Sequence, residues 1–439
     1  MPLRIVLVRH GLSSFNLEQR IQGRDDLSTL TEEGQRQAAQ AGEALRDLRF
    51  DGAYCSPLRR AALTATVLLQ AQGQGLTATA TNDLLEIDLE PWGGLLRHDL
   101  ATRFPEQERR WREAPHTLEL VRADGQVHRP VPDLMLQAGR FVASLLERHH
   151  DGTVLVVAHN GILRCLILQL LGLPAAGFSR LRLDNGAISV INVSRDDGLH
   201  QVQIESLNGT AHLGAPLPSR RRGPRLLLVR HGETDWNRQG RFQGQIDIPL
   251  NDNGRRQAQA AARYLAQVPI DRAYTSAMAR PRQTAELILA EHPGVPLTST
   301  RGLVEIGHGL WEGRLEAEIA DGWPQLLADW KRAPETVQMP QGETIQEVWD
   351  RSLACWQRIA AGLAPQETGL VVAHDAVNKT ILCALLGLTP ADIWAIKQGN
   401  GGVTVIDYPE GVAAGPVVSS LNLTSHLGGV LDRTAAGAL

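Results

Sequence analysis

One stretch of this chain occurs twice. LVRHGLSSFN, from Leu7 to Asn16, returns as LVRHGETDWN, from Leu228 to Asn237, within 439 residues. The likeness continues downstream: His10 recurs as His231, Arg60 as Arg280, Glu86 as Glu305 and His159 as His374, at an offset drifting from 221 (231 − 10) to 215 (374 − 159). Both copies also close alike, on Leu207-Asn-Gly-Thr-Ala-His-Leu213 and Leu421-Asn-Leu-Thr-Ser-His-Leu427. A period this long is that of a duplicated domain, since stacked solenoid units repeat every 20 to 50 residues or so. The chain is also too long for one ordinary core. The expected division is a first domain over 1–214, a linker over 215–224 carrying prolines, glycines and a basic run, and a second domain over 225–439.

Within each copy, apolar runs alternate with amphipathic stretches. In the first, Leu3 to Val8 predicts a strand ending at Arg9, and Thr31 can cap a helix with Ala38, Ala41, Leu45 and Leu48 on one face. Gly52 to Cys55 predicts a strand, Pro57 to Leu69 a helix, and Gly152 to Ala158 a buried strand stopping at His159. A helix over Gly161 to Leu171 would then end at Gly172, with Pro174 beyond. The second copy repeats the pattern with Leu226 to Val229, Thr368 to Ala373 and a helix closing at Gly387 and Pro390. Such alternation predicts α/β architecture: two tandem three-layer α/β/α domains, each a mostly parallel sheet with helices on both faces. Both histidines of each copy fall at strand C-terminal ends, where open α/β sheets place ligands.

Composition narrows the partners. With 43% hydrophobic and 21% charged residues and a formal net charge of -4, the chain reads as an ordinary globular protein with no preference for nucleic acid. The run Ser219-Arg-Arg-Arg-Gly-Pro-Arg225 is read as a solvated linker. No stretch approaches the roughly 20 apolar residues of a membrane span, so no membrane partner is expected. MPLRIVLVRHG has no leader-like segment and reads as a mature start. Cys55, Cys165, Cys355 and Cys383 lack metal-site spacing and read as small buried residues in a reducing, cytoplasmic setting.

The repeated polar residues suit phosphoryl chemistry. Arg9 and Arg60 offer planar charged forks that match phosphate oxygens, and the helix after His159 is expected to add backbone donors for the same dianion. Neutral His10 is a competent nucleophile at phosphorus once that charge is offset. Glu86 can give the leaving alkoxide a proton and then act as base on water, while His159 and Asn16 steady the phosphoryl oxygens. The arginines supply the positive charge, so no metal or other cofactor is expected. Asp25-Asp26 and Asp196-Asp197 read as loop residues.

The ordered set is identified with a known family. CSPLRRAALTA and TSAMARPRQTA, LLEIDLEPWGGL and LVEIGHGLWEGR, and VVAHNGILR and VVAHDAVNK, together with the opening repeat, resemble the histidine phosphatase or phosphoglycerate mutase-like superfamily over nearly the whole chain. The resemblance implies that His10 and His231 are phosphorylated nucleophiles and that Glu86 and Glu305 are proton donors. It also implies phosphate pockets of Arg9, Arg60 and His159 and of Arg230, Arg280 and His374, with Asn16 and Asn237 beside them.

The two copies depart unevenly from the family pattern. The second carries Gly309, Trp311, Glu312, Gly313 and a Gly-Glu-Thr element; the first has Glu90-Pro-Trp-Gly-Gly94 and Arg129-Pro-Val-Pro-Asp133 instead. In the second, Asp375-Ala376 replaces the usual small pair after the histidine and sets an acid beside the pocket. The segments between acid and second histidine are short, 73 residues (159 − 86) and 69 (374 − 305), which favours water over a second substrate as acceptor. The expected activity is a metal-independent phosphomonoesterase acting on a small sugar phosphate or sugar acid phosphate. Tandem relatives suggest 2-carboxyarabinitol 1-phosphate, and Arg97, His98, Arg103, Arg109, Arg110, Arg112 and His128 could favour an anionic substrate. The alternatives are a cofactor-dependent phosphoglycerate mutase, or one active domain beside a regulatory phosphate-binding one.

Overall fold

The computed structural model describes residues 2–196 and 199–434. The chain forms two compact units, Met1–Ala215 and Pro216–Leu439. In the first, the principal elements are β1 (Leu3–Arg9), α1 (Glu32–Ala44), β2 (Gly52–Cys55), α2 (Arg59–Gln72), β3 (Thr79–Ala80), α3 (Pro130–Arg148), β4 (Thr153–Ala158), α4 (Asn160–Leu170), β5 (Ile188–Asp196) and β6 (Leu199–Gly209). The sheet runs β6-β5-β1-β4-β2-β3. β1, β4, β2 and β3 are parallel, and β5 and β6 add antiparallel strands at one side. Aliphatic side chains on both faces of β1 and β4 are almost fully buried, as a sheet covered by helices on both faces requires. α1 packs on α2 and α3 on α4.

The second unit repeats the plan with β7 (Arg225–Arg230), α5 (Asp252–Leu265), β8 (Arg272–Ser276), α6 (Ala279–Leu289), β9 (Leu297–Thr300), α7 (Ile345–Ala361), β10 (Thr368–Ala373), α8 (Asp375–Leu386), β11 (Val403–Asp407) and β12 (Val417–Leu423). Its sheet order is β9-β8-β10-β7-β11-β12.

Local differences from the sequence expectation have simple causes. α1 begins where Thr31 accepts a hydrogen bond from Gly34 N, but it stops at Ala44, so Leu48 lies past its end. α2 starts at Arg59 because Leu58 is extended, and it closes on left-handed Gly73, φ 89°. Asp25 and Asp26 lie in a loop; Asp196 ends β5, and Asp197 lies outside the described residues.

The basic run is bound rather than solvated at two of its arginines. Arg225 pairs with Asp407 at 2.7 Å with both groups buried, and Arg220 donates to Thr368 Oγ1 at 2.7 Å. Leu217 joins the core of the second unit. Ion pairing and backbone carbonyls supply the compensation that lets these cations pack inward.

The sheet register positions the site. Arg9 lies opposite Ala158 in the parallel pair β1 and β4, and His10 N donates to Ala158 O at 2.9 Å, so His10 and His159 leave the sheet side by side. Arg230 and Ala373 are paired identically. Glycine follows each first histidine for a steric reason: a Cβ on Gly11 would lie 2.2 Å from Gly34 O, and one on Gly232 would lie 2.4 Å from Gly254 O.

Candidate functional site

At the C-terminal end of each sheet two imidazoles face one another. The His10 and His159 centroids are 5.1 Å apart, and those of His231 and His374 are 5.2 Å apart. The first histidine of each pair is tied down through Nδ1, which lies 2.7 Å from the carbonyl of the following glycine. An N–H must lie between that nitrogen and a carbonyl oxygen, so the lone pair is left on Nε2. Burial pushes both His10 and His231 well below the ordinary histidine range, and the flanking arginines add to the effect. Each is therefore a neutral imidazole with a defined tautomer.

The second histidine is held through the opposite nitrogen. His159 Nε2 lies 2.8 Å from Ser56 Oγ, and His374 Nε2 lies 2.9 Å from Ser276 Oγ. Each serine oxygen also receives a backbone N–H at 3.3 Å, from Leu58 or Met278. Among the described residues Nε2 is the acceptor within reach of that hydroxyl hydrogen, so the hydrogen is directed to Nε2 and the imidazole hydrogen to Nδ1. Nδ1 of His159 and of His374 is buried without a protein partner. Burial pushes both rings well below the usual range, with Arg60 and Arg280 the next causes.

Arginines frame each pair. Arg60, 1% exposed, donates to Gly23 O and Asp25 O at 2.8 Å each. Arg280 donates to Gly244 O at 2.9 Å and Ile246 O at 3.2 Å, and its Nε reaches His231 Nε2 at 3.2 Å. Arg9 donates to Leu183 O at 2.8 Å, and Arg230 donates to Gln398 O. Burial pulls Arg9 and Arg280 down to about 10, which leaves both charged at neutral pH. Nε of Arg9, Arg60 and Arg230 is a buried donor without a protein partner. Leaving such donors unmet costs about 1–3 kcal/mol each, a cost an anion would offset.

The carboxylates complete the constellation differently in the two copies. Glu86 accepts from Ile87 N at 2.9 Å and from Gly161 N and Ile162 N at 3.1 Å each. Two N-terminal amides of α4, those of Gly161 and Ile162, are therefore held by Glu86, a correction to the expectation that the helix start serves a phosphate. Glu305 accepts from Ile306 N at 3.0 Å and Asp375 N at 3.1 Å. Burial first, then the Asp375 charge, raises Glu305 above the ordinary carboxyl range against the pull of Arg280 and Arg230.

Asn16 and Asn237 sit beside the pairs, but their Oδ1 atoms are committed to local caps with Ser13 and Thr234, so only the amide Nδ2 remains to donate. Sequence reasoning missed Asn185 and Asn400. Their Nδ2 groups bond the carbonyls of His10 at 3.0 Å and His231 at 3.1 Å, and they also reach Asn16 and Asn237. It also missed Thr64 and Thr284, which accept from Gly11 N at 3.2 Å and Gly232 N at 3.1 Å. Both threonines stand inside the quoted motifs four residues after the arginine, a signal that spacing on one helix face could have revealed.

A reciprocal exchange also escaped notice. The carbonyl of Glu86 is bound by Arg24, whose Nη2 meets Gln137 Oε1; the carbonyl of Glu305 is bound by Gln245 and by Arg351. Glutamine and arginine have changed places. Of the basic residues in the first copy, Arg97 lies close enough to depress Arg9. Arg109 is paired with Glu106 and Glu113 on an exposed helix, and His128 is buried.

The model of the histidine phosphatase superfamily (branch 1) matches residues 5–205 and again 226–423. A 2-carboxy-D-arabinitol-1-phosphatase of Triticum aestivum is 30% identical over 450 residues, covering 97% of this chain and 86% of that protein. Phosphoserine phosphatase 1 of Hydrogenobacter thermophilus is 32% identical over 204 residues, covering 46% of this chain and 94% of that protein. A probable phosphoglycerate mutase, GpmB, of Citrobacter koseri is 35% identical over 221 residues, covering 49% of this chain and 96% of that protein.

Proposed function

Because the chain belongs to the histidine phosphatase superfamily, we propose that it is a phosphomonoesterase for small phosphorylated metabolites in which both copies work through a phosphohistidine. Nε2 of His10 or His231 attacks phosphorus in line, the P–O ester bond breaks, and Glu86 or Glu305 gives its proton to the departing oxygen. Water then attacks the phosphohistidine, returning the nitrogen lone pair and releasing phosphate, with the same carboxylate taking the water proton. Arg9 with Arg60, and Arg230 with Arg280, balance the phosphoryl charge, and Nδ1–H of His159 or His374 donates to an oxygen of the transferring group.

The observation that carries this reading is the paired imidazoles of opposite tautomer in both copies: one with its lone pair on Nε2, which at His231 accepts from Arg280 Nε while Arg60 Nε in the first copy has no protein partner, the other with an unpartnered Nδ1–H. A substrate bearing a carboxylate as well as a phosphate suits the first site, where Arg97 adds charge near Arg9. The wheat relative's named activity supports 2-carboxy-D-arabinitol 1-phosphate as that substrate.

The test is phosphate release from para-nitrophenyl phosphate, 2-carboxyarabinitol 1-phosphate, phosphoserine and 3-phosphoglycerate, with chelator present, for the native chain, His10→Ala, His231→Ala and the double variant. We expect each single variant to retain part of the activity and the double variant none. Activity in the double variant, loss on chelation, or isomerisation of 3-phosphoglycerate without phosphate release would refute the proposal.

A further inference from the structure

The sequence pair that follows the second histidine, Asn160-Gly161 in one copy and Asp375-Ala376 in the other, sits against the carboxylate of each site. In the first copy Glu86 reaches both Gly161 N and Ile162 N. A Cβ on Gly161 would lie 2.5 Å from Glu86 Oε1, so that clasp exists only while residue 161 has no side chain. Ala376 occupies the equivalent place in the second copy. There Glu305 reaches only one amide of the helix, Asp375 N at 3.1 Å.

Asp375 itself is buried, 5% exposed, with Oδ2 2.9 Å from Lys379 Nζ and Oδ1 3.5 Å from Arg230 Nη1; Oδ1 has no hydrogen-bond partner. Lys379 in turn lies 4.9 Å over the Trp394 ring. Position 160 of the first copy is a neutral asparagine.

We propose that Asp375-Ala376 is a positioning pair for the proton donor of the second site. Ala376 keeps Glu305 off the helix amides that Glu86 uses, and Asp375 sets a second carboxylate beside it, so that the pair favours the protonated form of Glu305. The proposal rests on Glu305 being the general acid. The charged groups acting on the Glu305 carboxyl are Arg280 from α6, Asp375 from α8 and Arg230 from the end of β7; Lys379 of α8 pairs with Asp375, and Arg351 of α7 binds the Glu305 carbonyl. The arginines favour the carboxylate and Asp375 opposes them. The direction of the Glu305 shift, upward, agrees with this geometry.

The sign follows from the role. A general acid works while protonated, so activity is lost as pH rises through its titration, and a lower titration moves that loss to lower pH. Replacing Asp375 by asparagine removes the like charge, and replacing Ala376 by glycine restores room for a second amide bond.

The experiment uses the full chain carrying His10→Ala, so that only the second site turns over, and measures kcat/KM against pH for Asp375→Asn, Ala376→Gly and Glu305→Gln. The substrates are an alkyl phosphate, whose leaving group needs the proton, and para-nitrophenyl phosphate, whose leaving group does not. With the alkyl phosphate we expect the alkaline limb to move down by about one pH unit for Asp375→Asn, and in the same direction for Ala376→Gly, with the acidic plateau retained. Above both limbs that is roughly a tenfold loss. With para-nitrophenyl phosphate the limb should not move. A lowered plateau with an unmoved limb in both variants would overturn the positioning role. Undiminished alkyl-phosphate turnover in Glu305→Gln would instead overturn the general-acid assignment beneath it.

Discussion

Ser276→Ala tests whether the second imidazole of the site works as a hydrogen-bond donor of fixed tautomer. The Ser276 hydroxyl lies 2.9 Å from His374 Nε2, and burial keeps the ring neutral, so one nitrogen carries the hydrogen and the other the lone pair. With Ser276 donating to Nε2, the hydrogen lies on Nδ1, which has no protein partner and is the donor proposed for the phosphoryl oxygens. Without it, Nε2 is a buried acceptor lacking a partner, or the hydrogen moves to Nε2 and turns a lone pair toward an anion. Either outcome costs about 1–3 kcal/mol, which converts to a loss of roughly 5- to 150-fold in kcat/KM. The assay is phosphate release by Ser276→Ala in the His10→Ala background, with inhibition by inorganic phosphate measured beside it. Both catalysis and phosphate affinity should weaken, because the same N–H serves the bound and the transferring group. The oxygen is small and its removal leaves β8 and β10 intact, but an acceptor left unpartnered in the interior also weighs on the fold, so the melting temperature should fall modestly. Turnover within twofold of the parent would refute the tautomer argument.

Two further outcomes concern stability. Asp407→Ala strands the buried Arg225 guanidinium, which it meets at 2.7 and 2.9 Å; chemical denaturation should show a loss of about 3–5 kcal/mol, largely recovered when Arg225→Met is added. His212 and His426 are pulled down to about 4, chiefly by burial, so the unfolded chain binds more protons than the folded one between the ordinary histidine value and that point. Stability present above the ordinary value should therefore fall as pH drops through this window, by roughly 2 kcal/mol per histidine after allowing for partial exposure, and urea midpoints of His426→Gln should show a flatter dependence there.

Much of the scaffold was legible from short-range pattern. Thr31 caps its helix, Gly387 ends another, and Leu3 to Arg9 and Thr368 to Ala373 are strands because the determining residues are neighbours in the chain. The same holds for the order of motifs: an Arg-His pair at a strand end, repeated, leaves few places for those side chains except the sheet's C-terminal edge. The interior use of the basic run was not legible, since Arg225 meets an acid 182 positions away.

By itself, then, the sequence determined that the chain is a duplicated α/β protein and singled out the histidines, arginines and glutamates that the fold gathers at the two candidate sites. Only the tertiary structure decided how each is held. Arg24 with Gln137 in one copy does what Gln245 with Arg351 does in the other, Asn185 and Asn400 reach back to the first histidine across 175 and 169 positions, and Glu86 rather than a ligand takes the helix amides. Periodicity and capping report which way a residue faces along its own element. Which distant donor meets which acceptor depends on how whole elements are packed: the sequence marked the exchange of Asn160-Gly161 for Asp375-Ala376, but only the fold showed that Glu86 and Glu305 meet different helix amides there.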